Sequence, residues 1–237
     1  MLFYYIRHGQ PFYSPDALTE YGQKQANALA KRLMLYGLDE IYSSTSTRAI
    51  QTAQPTCKLL QKEPTLLDWA HEELAWQEFV TTKAGFTTWF FNDREYVEQF
   101  SDKSMRDLGD NWLDHPCFAN TKARSGYERI KHETDLFFER LGFKHNHEKG
   151  GYEVIMPNAK RVALFAHQGF GMVFLSILLG IPYPLFCTKF DMGHSGVSVI
   201  YFDETKKFTY PKLLQLSNDS HLYKDNILNG YQGRIDI

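Results

Sequence analysis

Residues 2–9, Leu2-Phe3-Tyr4-Tyr5-Ile6-Arg7-His8-Gly9, open the chain with an apolar run that stops abruptly at a cation, a histidine and a glycine. A short apolar run bounded by polar residues reads as a buried strand. Open α/β sheets place their ligand sites at the carboxyl ends of such strands. A histidine there can turn one ring nitrogen to a ligand, and Arg7 beside it offers a planar fork suited to phosphate oxygens. Gly9 lets backbone approach closely. The tripeptide alone is a weak signal, so its weight depends on what the rest of the chain supplies.

The same arrangement recurs at Leu164-Phe165-Ala166-His167-Gln168-Gly169: apolar strand, histidine, then glycine and a helix. Between the two lies Ser43-Ser44-Thr45-Ser46-Thr47-Arg48-Ala49, which sets Arg48 in the first turn of a helix just after the short strand candidate Glu40 to Tyr42. Backbone amides at a helix N-terminus favour anions, and the arginine adds to that field.

The remaining pattern alternates strands with helices. Thr19 is an N-cap for a helix through Ala26, Leu29, Ala30 and Leu33, with Gly37 as its stop. Pro55 should kink the helix after Arg48 or begin a second segment. Leu66 and Leu67 suggest a strand. Residues 73–150 carry little strand signal: Phe86 to Phe100 reads as an aromatic-rich helix, and Ser125 to Glu128 as a capping box for another. Tyr152–Ile155 and Arg161–Ala166 flank Pro157-Asn158 and look like a hairpin. Gly169–Leu179 is an apolar helix, and Val197–Phe202 and Leu213–Leu216 are strands. The expected fold is α/β: a three-layer sandwich with a mostly parallel central sheet, helices on both faces and a helical insertion. One domain over 1–237, with a cap inserted at about 73–150, suits the length.

Composition narrows the function. Hydrophobic residues make up 43% and charged residues 23%, and the formal net charge of −2 offers no basic field for nucleic acid. Cys57, Cys117 and Cys187 form no CxxC pair, which argues against a disulfide framework or zinc site and for a reducing, cytoplasmic setting. No apolar stretch is long enough for a membrane span, and the N-terminus lacks a secretory pattern.

Together these motifs resemble the histidine phosphatase superfamily, which includes cofactor-dependent phosphoglycerate mutases and many phosphatases. The resemblance rests on RHG at 7–9, LTEYGQKQA at 18–26, SSTSTRAIQTA at 43–53 and FAHQG at 165–169, with Ser217–Leu222 similar to the family's final segment. It implies that His8 attacks phosphorus and becomes phosphohistidine, while Arg7, Arg48 and His167 hold the phosphate oxygens. Nearby positive charge should keep His8 neutral, as a nucleophile must be. The family's acid follows its third strand, which falls here on Asp68-Trp69-Ala70-His71-Glu72-Glu73. Glu72 is the matching position and Glu73 the alternative, because Ala70 departs from the family's leucine. Gln10 stands where the family often has glutamate. Ser14 stands where mutases have a phosphate-touching asparagine, so it is a further phosphate-binding candidate.

Other features read more simply. His71-Glu72 begins like a zinc-binding HExxH helix, but Ala75 occupies the second histidine's place, so that motif is absent. His145 and His147 could suggest a metal, but the stretch reads better as a polar surface loop between helix and hairpin. The aromatics Trp76, Phe79, Phe86, Trp89, Phe90, Phe91, Tyr96 and Trp112 read mainly as core of the insertion. Trp76 and Phe79 are candidates for the pocket mouth. The expectation is a metal- and cofactor-independent phosphatase acting on a small-molecule phosphate ester, without nucleic-acid or membrane partners; oligomeric state is open. A phosphoglycerate mutase and a non-catalytic phospho-ligand-binding domain are the rivals. The stretch 73–125 is not strongly basic, unlike the corresponding part of mutases.

Overall fold

The computed structural model describes residues 1–231 and 233–235; the last of the expected domain, residues 232 and 236–237, lies outside the described residues. Its central sheet has six strands, in the order Lys212–Asn218, Val197–Tyr201, Leu2–Arg7, Arg161–Ala166, Glu40–Ser44 and Thr65–Leu67. The last four run parallel to one another, and the first two join antiparallel. The sheet is therefore mixed but mostly parallel.

The opening run explains the layering. Successive side chains of a strand face opposite sides of the sheet. Phe3 and Tyr5 enter a core with Phe137, Phe138 and Phe174 from the helices Ala123–Arg140 and Gln168–Leu179. Tyr4 and Ile6 enter a second core with Leu29, Leu33 and Ala53 from Glu20–Tyr36 and Thr47–Leu60. All four strand residues are essentially buried. Both faces of one strand thus recruit helices, which gives the three layers.

Four local expectations need correction. Thr47–Leu60 runs straight through Pro55 as one helix. The proline costs a backbone hydrogen bond, but Ala53 and Cys57 on either side are buried in the second core and hold the segment in place. Phe86–Trp89 is a strand paired with Val80–Lys83, and the helix starts only at Arg94. Ala84 and Gly85 both have positive φ, which fits the tight turn of a two-residue hairpin. Gly151–Val154 pairs with Phe143–Asn146 and Phe208–Thr209 in a separate small sheet, while Arg161–Ala166 joins the central one, so Pro157-Asn158 is a crossing between sheets. Ser125 lies inside the helix Ala123–Arg140 and its hydroxyl donates to the Lys122 carbonyl. Among the described residues no helix is long and apolar enough to cross a membrane.

Candidate active site

The strands Leu2–Arg7 and Arg161–Ala166 lie side by side in register, Arg7 opposite Ala166, so the residues that follow them leave the sheet together. The Tyr5 hydroxyl donates to the His167 carbonyl at 2.6 Å and ties the two strand ends. Glu40–Ser44 is the next strand along, and the helix Thr47–Leu60 starts just beyond it and carries Arg48. Sheet topology alone brings His8, Arg48 and His167 to one edge.

The loop after His8 is held by glycine contacts. A Cβ on Gly9 would lie 2.7 Å from the Gly22 carbonyl oxygen, and one on Gly22 would lie 2.2 Å from the Gln10 oxygen. The His8 loop therefore rests directly on the start of the helix Glu20–Tyr36. The Gly9 amide also donates to Thr52 Oγ1 at 3.0 Å.

His8 is 1% exposed. Its Nδ1 lies 2.7 Å from the Gly9 carbonyl oxygen. A carbonyl only accepts, so Nδ1 carries the hydrogen. The other nitrogen, Nε2, accepts from Arg48 Nε–H at 3.2 Å. Burial, then the charges of Arg7 and Arg48, hold the imidazole well below its usual pKa. His8 is consequently neutral, with a lone pair on Nε2.

His167 is completely buried, and its pKa is likewise pushed well down by burial first and then by the other cations and histidines of the cluster. Nε2 faces the Ser44 hydroxyl at 2.8 Å and that of Ser46 at 3.3 Å. With Ser44 donating, Nδ1 keeps the hydrogen. That Nδ1 lies 3.4 Å from Glu72 Oε2 but not in hydrogen-bonding geometry. Arg7 donates through Nη1 to the Met192 carbonyl, and its Nη2 lies 3.0 Å from His194 Nε2. Burial holds His194 down at about 3, so that nitrogen accepts. Arg7 Nε and His167 Nδ1 are buried donors without a hydrogen-bond partner among the described residues.

Glu72 opens the short helix Glu72–Glu78. Its Oε2 accepts from Arg48 Nη2 at 3.2 Å, and its Oε1 from the Gly169 amide at 2.7 Å. One nitrogen each of His8 and His167 and a Glu72 oxygen fall within 4.8 Å of one another. Those three groups could geometrically ligate a cation, but Arg7 and Arg48 give the site the field of an anion receptor. Glu73 points away: it is exposed, and its carboxylate accepts from Gln77 instead.

Ser14 lies between Tyr13 and Asp16, both of which reach Arg48. It sits exposed at the turn between Pro11–Tyr13 and Asp16–Leu18, before a cis Pro15. Asp16 of the same hairpin reaches the cluster, bonding Arg48 Nη1 at 2.7 Å and accepting from the Thr47 amide at 2.7 Å. Phe79 is fully buried against Phe90 and Tyr183, so it belongs to the core and not to a pocket mouth. Trp76 meets Trp89 edge-on, and Trp89 lies against Gly169, where an added Cβ would be 2.3 Å from the indole. Sequence reading missed Asp16 and Ser44. His194, just before the strand at 197, reads from sequence as either a pocket residue or, somewhat favoured, a loop histidine, and it meets Arg7. The signal for Ser44 was its place in the strand-to-helix turn before Arg48; Asp16 lies in a loop of ordinary composition. A cavity of about 530 Å³ borders the cluster on its Arg7 side, lined in part by Gln10, Asp191, His194, Asp219 and Tyr231.

The buried neutral histidines have a consequence for stability. Each has a folded pKa below its unfolded value of roughly 6.5. Their contribution is intact above that pH and is lost as the pH falls toward the folded values, because the unfolded chain takes up the protons first. His194 at about 3 and His221 at about 4 add to His8 and His167. Urea unfolding should show stability falling from pH 7 to pH 4.5, by about 1.4 kcal/mol per pH unit below 6.5 for each histidine that stays neutral. A flat profile over that interval would refute the burial of these groups in the neutral form.

Residues 3–114 match the family model of the histidine phosphatase superfamily (branch 1), in agreement with the motif resemblance. No curated protein sequence matches the chain. The fold is similar to that of a phosphoserine phosphatase mutant from Entamoeba histolytica in complex with phosphoserine, at 18% identity and TM-score 0.58, covering 93% of this chain and 98% of that one. A mycobacterial glucosyl-3-phosphoglycerate phosphatase, in a complex with VO3, is similar at 16% identity and TM-score 0.58, covering 91% and 98%. The alpha-ribazole phosphatase of Shigella flexneri aligns at 17% identity and TM-score 0.57, covering 92% and 97%.

Proposed function

We propose that this chain is a phosphatase that hydrolyses a small-molecule phosphate monoester in two steps, through phosphohistidine on His8 Nε2. The observation that carries the reading is the His8 hydrogen bond to the Gly9 carbonyl. It assigns the proton to Nδ1 and directs a neutral lone pair at Arg48. In the first step that lone pair attacks phosphorus and the ester P–O bond breaks. Arg48, Arg7 Nε and His167 Nδ1–H receive the phosphoryl oxygens, and Glu72, which takes up the proton of an ester arriving as its monoanion, passes that proton to the leaving oxygen. In the second step Glu72 takes a proton from water, which attacks the phosphohistidine and frees His8.

Substrate phosphate displaces carboxylates in this scheme. Arg48 is bonded to Asp16, Glu72 and His8, so the arriving anion exchanges one set of charge-assisted bonds for another. Asp16, on a hairpin at the rim, is the partner most easily released. The cavity beside Arg7 offers polar side chains such as Gln10, Asp191 and Asn229 to a substrate body. The similarity to solved phosphatases supports the general reading, and their differing substrates leave the ester itself to experiment.

The test is phosphate release from p-nitrophenyl phosphate and a panel of phosphorylated metabolites, with EDTA present. Turnover of at least one monoester without added metal is expected. Failure to release phosphate from any of them, by folded protein, would overturn the proposal.

A further inference from the structure

We propose that Asp135, His145 and His147 form a binding site for one divalent transition-metal ion of the zinc class, separate from the His8 cluster. His145 ends the strand Phe143–Asn146 with Asn146, and His147 follows directly. His145 is on the strand and His147 in the turn after it, and their rings come together on one side. Asp135 comes from the helix Ala123–Arg140, one turn before its end. His145 Nδ1 lies 2.8 Å from Asp135 Oδ1, and His147 Nε2 lies 2.7 Å from Oδ2. The imidazole centroids are only 3.9 Å apart, and the ligating atoms all fall within 4.8 Å of one another.

This donor set suits particular ions. Two imidazole nitrogens and one carboxylate oxygen are ligands for zinc and its neighbours, whereas calcium and magnesium prefer oxygen alone. An ion at roughly 2.1 Å from each ligand needs them about 3.3 Å apart, so opening the present contacts by about half an ångström admits it. Coordination requires His145 Nδ1 and His147 Nε2 to surrender the hydrogens they now direct at Asp135. Each proton moves to the ring's other nitrogen or leaves for solvent.

The surroundings favour such a site. His145 stacks on Tyr152 at 4.3 Å with rings 9° from parallel, and its side chain is 7% exposed, so one ligand is already fixed. His147 is 43% exposed, and a cavity of about 340 Å³ borders both histidines, leaving coordination positions open to water or a small ligand. Asp110, Asp114 and Glu128 also line that cavity and outnumber Arg124 and Lys131, giving a field that attracts cations.

Zinc chloride titrated calorimetrically into EDTA-dialysed full-length protein should bind one ion per chain. Asp135→Asn and His147→Ala should each weaken binding at least tenfold, with far-UV circular dichroism confirming that they fold. Both side chains are partly exposed, so neither substitution leaves a buried hole. Cobalt(II) should give a visible absorption band that both variants lose. His8→Ala should bind as wild type does. Absence of binding, binding undiminished in both variants, or binding lost in His8→Ala would overturn the proposal; the last would put the ion at the His8–Glu72–His167 cluster.

Discussion

Replacing His8 by alanine should lower kcat for phosphate-monoester hydrolysis by roughly four to six orders of magnitude, the scale seen when a covalent nucleophile is removed. The size follows from the cluster's composition. His167 cannot substitute, because its Nε2 is engaged by Ser44 and Ser46, and its Nδ1 carries the hydrogen that would meet phosphate oxygen. The other neighbours are the arginines, Glu72 and His194, whose Nε2 is held by Arg7. KM should change far less than kcat, since Arg7 and Arg48 still provide the charge that binds the anion. Steady-state kinetics on purified, folded variant measures both. A variant retaining activity within tenfold would exclude His8 as nucleophile.

Glu72→Gln should lower kcat by about two to four orders of magnitude, the range for loss of a general acid. Glu73→Gln should stay within about twofold, because Glu73 bonds Gln77 on the solvent side of the same helix. The Glu72 effect should also depend on the leaving group. An alkyl phosphate leaves as a strongly basic alkoxide and needs the proton, whereas p-nitrophenolate leaves with little help. The deficit should therefore be larger with alkyl substrates. Equal deficits on both, or a larger loss in Glu73→Gln, would reassign the acid.

Much of this site was legible before any coordinates. His8 and His167 stand at the ends of apolar strands and Arg48 opens the helix after a third, and parallel pairing in register brings such positions to one edge. Glu72 was readable only through the family pattern. Nothing local separates it from Glu73; what does is its position at the first residue of a helix whose N-terminus abuts Gly169. One hairpin turn sends the Ser14 side chain to solvent and brings Asp16, two residues later, to Arg48.

The fold was less legible in the insertion, for a physical reason. Phe86–Trp89 lies just ahead of the helix that begins at Arg94, and its aromatics merge with those of that helix into one apparent pattern. The paired threonines 81, 82, 87 and 88 around Ala84-Gly85 were the overlooked hairpin signal. Likewise, apolar Gly151–Val154 and Arg161–Ala166 carry no mark of which sheet each joins. That choice depends on partners distant in the chain, Phe143–Asn146 for one and Leu2–Arg7 for the other.

The central claim is covalent transfer to His8 Nε2. The direct measurement is rapid quenching of the enzyme during turnover of a 32P-labelled monoester, followed by acid and base treatment and peptide mapping. Up to one phosphate per chain is expected, labile in acid, stable in base, and located on His8. Turnover under conditions where this label would accumulate, yet with none on His8, or label persisting in His8→Ala, would contradict it.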